Sequence, residues 1–242
     1  MNMIKIGIIV ADYDEYTSLR EGVKEFSCVP YILWGREGHR FFIKTSNGTA
    51  EVISVLCGIG KVNAAAAAAH LEAIGCNVIL NYGLSGGISG VSRGDYCIPN
   101  RFLEHDFDLM GIGYKLCEKP RQEYIYSANE VLINLLLEIC PNAKLGTAVT
   151  GDRFVCDSNL RNTLKNEFGA VSCDMETAAI AYVCSFSGVP FLSLRKISDD
   201  AGDDAVDTYK EMNNNSQIGL FDCIIKLIQK IIVSNFGGRI NE

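Results

Sequence analysis

Histidine, the side chain best suited to proton transfer near neutral pH, occurs three times in this sequence, at His39, His70 and His105. Acid–base work therefore has to fall to carboxylates. Three acids stand just beyond apolar, β-rich runs: Glu15 after Ile4–Val10, Glu176 after residues 171–174, and Asp199 after residues 190–197. Each alone has a structural explanation. Helix N-termini favour acids, and Asp199 belongs to an acidic run with Asp200, Asp203 and Asp204 that could simply face water. Three acids ending three buried strands of one sheet are a stronger signal, and they predict a site that moves protons.

Other motifs fail on inspection. Gly58-Ile59-Gly60-Lys61 resembles a phosphate loop, but Val55 and Val62 stand where a Walker A motif needs glycine and Ser or Thr. As a dinucleotide fingerprint the same stretch puts Asn63 in the place of the third glycine. Gly83-Leu84-Ser85-Gly86-Gly87 matches a nucleophile elbow in form, yet that chemistry needs a late histidine, and His105 is the last. The glycines read instead as a tight strand-to-loop turn that lets a ligand approach backbone.

The elements that must carry the acids alternate along the chain. Ile4–Val10 is a buried strand followed by a helix start at Asp12. Residues 31–34, 41–45 and 51–56 form a meander with Asn47-Gly48 as a hairpin turn. Lys61–Ala73 holds six consecutive alanines and is a helix that can pack closely on a sheet. Strands follow at 78–82, 96–99, Lys144–Thr150, 171–174 and 190–197. Helices fall at 129–139, at 158–167 with Ser158 as cap, at 177–186, and at 218–233. This alternation predicts an α/β fold: a single domain over residues 1–242, in three α/β/α layers around a central mixed, twisted sheet. Ligands of such folds collect beyond the carboxyl ends of the strands, where the acids lie.

Composition removes whole classes of function. Apolar residues make up 48% of the 242 and charged residues 21%, a globular balance. Twenty-two Lys and Arg against 29 acids give −7, the wrong sign for a nucleic-acid binder. The first ten residues, interrupted by Lys5, do not read as a signal peptide. Asp222, Lys226 and Lys230 make the final apolar stretch an amphipathic helix, so no membrane span is expected. Ten cysteines without a C-x-x-C pair or cluster are read as buried free thiols in a reducing cytoplasm, with no metal site.

Taken with their surroundings, these residues resemble the nucleoside phosphorylase superfamily and, within it, the methylthioadenosine/S-adenosylhomocysteine nucleosidases. The landmarks run along essentially the whole chain: Ile6-Gly-Ile-Ile with Glu15 downstream, Cys57-Gly-Ile-Gly-Lys-Val, Asn81-Tyr-Gly-Leu-Ser-Gly-Gly, Gly94-Asp95, Gly151-Asp-Arg-Phe, Asp174-Met-Glu-Thr-Ala-Ala-Ile-Ala and Arg195-Lys-Ile-Ser-Asp199. The resemblance implies a cofactor-free homodimer that cleaves the N-glycosidic bond of 5′-substituted adenosines. It implies Asp199 as the acid at purine N7, oriented by Ser198, and Glu15 as the base for water, assisted by Arg195. Glu176 would accept the ribose hydroxyls and Met175 would pack under the sugar. Phe154 would stack on the purine, the Val155 backbone would read its edge, and Ile59 would line the same pocket. Ile112 and Pro120 would close the partner subunit's 5′-substituent pocket.

Two positions depart from the family's pattern: Leu84 stands where a serine is usual, and Asp174 replaces a customary Glu. A phosphate-using relative would carry an arginine where Asn81 stands and a Gly-x-Pro-x-Arg loop near the N-terminus, but Ala11 to Glu15 has neither Pro nor Arg. Water is therefore the expected nucleophile. A purine nucleoside phosphorylase and a non-catalytic nucleoside-binding or storage protein remain as alternative readings.

Overall fold

Five of the seven residues in β1 (Ile4–Val10) are β-branched, and all but Lys5 are buried. A strand covered on both faces must have a hydrogen-bonded neighbour on each side. Its partners are β4 (Gly48–Leu56) and β5 (Val78–Gly87), both parallel to it. The computed structural model of the chain describes residues 3–211, 219–234 and 236. Beyond β4 lie β3 (Arg36–Thr45) and β2 (Val29–Leu33), the antiparallel meander expected from the sequence. Its first turn places Trp34 at φ +50° and Gly35 at φ +77°, the left-handed pair that a two-residue hairpin requires.

The other half of the sheet closes on itself. β5 pairs with β10 (Phe191–Asp199), β10 with β6 (Tyr96–Glu104), β6 with β8 (Lys144–Thr150), β8 with β9 (Ala170–Asp174), and β9 returns to the end of β5. Five strands thus form a ring, and a short β7 (Ile125–Ser127) pairs with β6 outside it. The mixed central sheet agrees with the sequence reading; its closure was not foreseen. Helices cover the sheet in layers: α2 (Lys61–Ala73) packs beside α5 (Thr177–Ser187), while α7 (Leu220–Val233) packs with α1 (Tyr13–Gly22) and α3 (Glu130–Leu137). The alanines of α2 serve close approach: Ala64, Ala67 and Ala68 are fully buried, and a Cβ on Gly7 beneath would meet Leu71 Cδ1 at 2.9 Å.

Several boundaries move. The glycine-rich stretch 83–87, read as a turn, continues β5 as strand. The strand expected to stop at Pro99 runs on to Glu104, with a register shift between Pro99 and Arg101 that accommodates the missing N–H. Asp157, not Ser158, caps α4 (Ser158–Phe168) by accepting from Asn159 N–H, and the Ser158 hydroxyl donates to Asp203 instead. Residue 218, the expected start of the last helix, lies outside the described residues. The helix α6 (Ala205–Glu211) had no signal strong enough to be read. No helix among the described residues is long and apolar enough to cross a membrane.

The end of α1 rests on α7 so tightly that a Cβ on Gly22 would run into the Phe221 ring. Alanine gains up to about 1 kcal/mol of helix propensity over glycine, but overpacking of this kind costs about 1–3 kcal/mol. Gly22→Ala is therefore expected to lower the urea midpoint, and an unchanged or higher midpoint would show that α1 and α7 are not in this contact.

Candidate active site

The strand ends of the ring surround one cavity of about 360 Å³, lined among others by Ala11, Asp12, Glu15, Glu176, Arg195 and Asp199. Arg195 lies near its floor, 2% exposed. A buried guanidinium needs acceptors for its fixed fork of donors. Its Nε donates to Ser85 Oγ at 2.8 Å, one terminal nitrogen to Asn81 Oδ1 at 3.1 Å, and the other to the Leu84 carbonyl. Asn81 is itself held by Ser193 Oγ at 2.8 Å, and its amide nitrogen donates to the Ile9 carbonyl at 2.9 Å. Neighbouring strands therefore fix the cation.

Three carboxylates face it. Glu15 belongs to the first turn of α1 and points inward, where its Oε1 accepts from Leu84 N–H at 2.6 Å. Glycine at position 83 is what admits it: a Cβ there would sit 2.7 Å from Glu15 Oε2 and 2.9 Å from Arg195. Burial pushes the Glu15 carboxyl up to about 8, with Arg195 and the Leu84 N–H opposing that rise. Glu176 immediately precedes α5, accepts from Gly60 N–H at 2.9 Å, and lies 3.8 Å from Arg195. Burial raises it to about 7, again against the pull of Arg195.

Asp174, the third, is consumed by structure. It accepts from the Thr150 and Thr177 hydroxyls at 2.7 and 2.6 Å and from the N–H groups of Glu176 and Thr177 at 3.1 and 3.0 Å. The shorter side chain at this departure from the family pattern thus ties β8, β9 and the start of α5 together. Asp199 lies across the cavity at the end of β10, 3% exposed, accepting from Ser198 Oγ at 2.6 Å and Ala201 N–H at 2.8 Å. Burial raises its pKa, opposed by those two hydrogen bonds. Its neighbours in the acidic run behave differently, with Asp200 exposed and bridged to Arg161.

The structure brings nine of the residues singled out from the sequence to this cavity: Glu15, Ile59, Phe154, Val155, Met175, Glu176, Arg195, Ser198 and Asp199. Ile112 and Pro120 do not line it. Ile112 ends a short 3-10 turn and is 71% exposed, while Pro120 is half-buried in the same loop. Sequence reasoning missed Asp12, Arg153 and Tyr209 among the lining residues. Tyr209 sets its ring edge against Phe154, with centroids 5.5 Å apart at 70°; it sits on the unforeseen α6, so no pattern pointed to it. Asn81 was read only as the absence of an arginine, whereas it orients Arg195.

The arrangement places a negative cluster around a single pinned cation, with a raised carboxyl on each side. Such a site can protonate a leaving group, hold a water, and favour positive charge developing between them. Among the described residues no group of three or more His, Cys, Asp or Glu side chains is arranged to hold a metal ion.

Comparisons with known proteins agree with this chemistry. The sequence model of the phosphorylase superfamily matches residues 5–229. The aminodeoxyfutalosine nucleosidase of Campylobacter jejuni is 31% identical over 235 residues, which cover 95% of this chain and all of that protein. The 5′-methylthioadenosine/S-adenosylhomocysteine nucleosidase of Staphylococcus carnosus is 31% identical over 93% of this chain and all of its own. The crystal structure of S-adenosylhomocysteine nucleosidase from Streptococcus pyogenes, in complex with 5-methylthiotubericidin, superposes with a TM-score of 0.85 at 26% identity, covering 96% of this chain and 98% of that one. With similarity running almost from end to end, the chain belongs to the phosphorylase superfamily and, within it, to the 5′-methylthioadenosine/S-adenosylhomocysteine nucleosidases.

Proposed function

We propose that the protein hydrolyses the N-glycosidic bond of 5′-substituted adenosines, releasing adenine and the free sugar. The observation that carries this reading is the pair of raised, buried carboxyls, Glu15 and Glu176, beside a guanidinium each of whose nitrogens already donates to the protein. Adenine leaves readily only if its N7 receives a proton or a strong hydrogen bond. Asp199 supplies it: burial raises its affinity for the proton, and the Ser198 hydroxyl fixes the carboxyl's direction. As the bond breaks, the sugar becomes oxocarbenium-like. The negative cluster favours that cation, and Glu176 accepts the ribose hydroxyls while Met175 packs under the ring. Phe154 stacks on the purine, the Val155 backbone reads its edge, and Ile59 borders the sugar.

Water attacks from the opposite face, held by Glu15. A carboxylate whose conjugate acid lies near 8 is a stronger base than a free one, which suits it to take the water's proton. Arg195 assists by holding the Leu84–Ser85 backbone against Glu15 and by balancing charge. A phosphate dianion meets the wrong field here. Ala11 to Glu15 offers no cation, each nitrogen of Arg195 already donates to the protein, and a second anion would make the raised Glu15 harder still to ionise. The phosphorylase reading is therefore not favoured, and retention of all three acids speaks against a storage protein. The C. jejuni and S. carnosus relatives are nucleosidases named for different substrates, aminodeoxyfutalosine in one and 5′-methylthioadenosine and S-adenosylhomocysteine in the other.

We also infer a homodimer acting in the cytoplasm. Ile112, exposed on a loop that does not reach its own cavity, supports a role in the partner's site. The spacing of the ten cysteines, without a C-x-x-C pair or cluster, supports a reducing compartment.

With methylthioadenosine, product analysis should show adenine and free methylthioribose, at a rate that phosphate leaves unchanged; formation of a sugar 1-phosphate would promote the phosphorylase reading. Glu15→Gln should bind the nucleoside without turning it over. The same variant tests the field at Glu15. A carboxyl raised in the folded state favours folding while protonated, and that advantage is lost as pH rises from the unfolded value near 4.5 through about 8. Glu15→Gln should therefore gain thermal stability over the wild type at pH 8.5 and little at pH 5; equal differences at both would show that Glu15 is not raised. Asp199→Asn should retain binding and slow adenine release by about 10²-fold or more, whereas a purely structural role would lower thermal stability and spare the rate. Finally, light scattering should show a dimer, and Ile112→Ser should raise KM for methylthioadenosine with kcat largely kept; a fully active monomer would remove Ile112 and Pro120 from the site.

A further inference from the structure

One pair of the ten cysteines is set apart from the rest. Cys140, just past the end of α3, and Cys223, in the first turn of α7, bring their sulfurs to 3.4 Å across 83 residues of sequence. Other thiols point at oxygen, Cys57 at the Gly58 carbonyl, Cys173 at the Gly86 carbonyl and Cys97 at the Ser172 hydroxyl among them. Sulfurs in a disulfide lie about 2.05 Å apart, so closing the Cys140–Cys223 gap asks for side-chain rotation on two well-anchored backbones. Cys140 N–H donates to the Leu136 carbonyl, and Cys223 N–H to the Gly219 carbonyl.

The two sulfurs are not equivalent. Cys223 sits where the α7 dipole is positive, with Lys226 on the next turn, and it accepts the Cys140 thiol proton in a hydrogen bond. That hydrogen bond is the main cause lowering Cys223, while the same bond and then burial push Cys140 up. Cys223 is also the more accessible, being half-buried where Cys140 is 7% exposed. The chain neighbours of the pair, Ile139 and Lys226, face an open cleft that neither sulfur lines and in which Lys230 is paired with Glu138 at 2.6 Å, so it is the half-buried Cys223 that a small reagent reaches first.

We propose that Cys140 and Cys223 are a redox site, which a low-molecular-weight disulfide oxidises to an intramolecular bond fastening α7 to α3. The Cys223 thiolate attacks one sulfur of the reagent, forming a mixed disulfide and expelling one thiolate. Cys140 gives up its proton and attacks the Cys223 sulfur, and the second half of the reagent leaves as a thiol. The two cysteines lose two electrons and two protons, and the reagent is reduced to two thiols. The bond would fix a helix with a further duty, since Phe221, two residues before Cys223, packs on Gly22 at the end of the helix that carries Glu15. No cavity-lining residue is displaced, so oxidation stiffens the fold and leaves turnover within about twofold.

The test uses the full chain, fully reduced and then incubated with glutathione disulfide. The wild type is expected to yield one cross-linked peptide pair carrying Cys140 and Cys223, lighter by two hydrogens than the two reduced peptides, whatever glutathione the exposed Cys156 takes up. Its Tm should rise by roughly 5 °C, reversibly with dithiothreitol. Cys140→Ser should instead keep one glutathione on Cys223, and Cys223→Ser should show neither the bond nor an adduct at Cys140. A mixed disulfide that persists on wild-type Cys223 would overturn the proposal. So would a bond between other cysteines, or a cross-linked protein with an unmoved Tm.

Discussion

The site is organised by the need to satisfy one buried positive charge. Arg195 cannot shed its proton, so every donor it carries has to find an acceptor or a counter-charge inside the protein. Ser85, Asn81 and the Leu84 carbonyl supply the acceptors, and Asp174 and Glu176 stand 3.8 Å away. Those partners come from β5, β9 and the start of α5, which means the guanidinium is satisfied only when β10 lies beside β5 and β9 has returned to it. Acids then outnumber the cation, and the imbalance is tolerated because backbone N–H groups at Leu84 and Gly60 share the load and because Glu15 and Glu176 hold their protons more tightly. A field of that sign resists a second anion and welcomes a sugar that turns cationic.

Much of this was legible from residue type and position. Lys61–Ala73 and Lys144–Thr150 match the sequence reading to the residue, because an alanine run and a β-rich run of full length leave little for tertiary context to decide. The three acids were legible because histidine is scarce and the strands end where ligands gather. The gathering of Glu15, Glu176 and Asp174 around Arg195 was not legible from spacing, since it depends on which strands become neighbours: β5 meets β10 across more than a hundred residues. Glycine misled the reading for the same reason. Residues 83–87 look like a turn, yet Gly83 and Gly86 are strand residues stripped of side chains so that Glu15, Arg195, Cys173 and Asp199 can press against the backbone. Pro99 misled it by suggesting a strand end where the structure holds a shifted register.

Asp174 shows how a local departure can be absorbed. One methylene shorter than the customary residue, it accepts from one threonine hydroxyl and two N–H groups on Oδ1 and from a second threonine hydroxyl on Oδ2, and still borders the cavity. Glu176, at the neighbouring helix start, accepts from Gly60 N–H and faces the same cavity. Leu84 is similar: its side chain offers no hydroxyl, but its N–H and C=O fix both Glu15 and Arg195, so the position still serves the site through backbone.

The closed ring of β5, β10, β6, β8 and β9 has a bearing on how such a protein diversifies. Strands joined on both sides cannot slide or splay one at a time, so the groups they carry keep their spacing while the surrounding loops are rewritten. The exposed stretch 110–115, beyond the contacts that Asp106 and Lys119 make with Lys61 and Glu104, and α6, which brings Tyr209 over Phe154, can change length and residue while the strands that carry the acids stay in place. A lineage built on this frame can inherit its bond-breaking apparatus intact and still acquire new tastes for what hangs from the far end of the sugar.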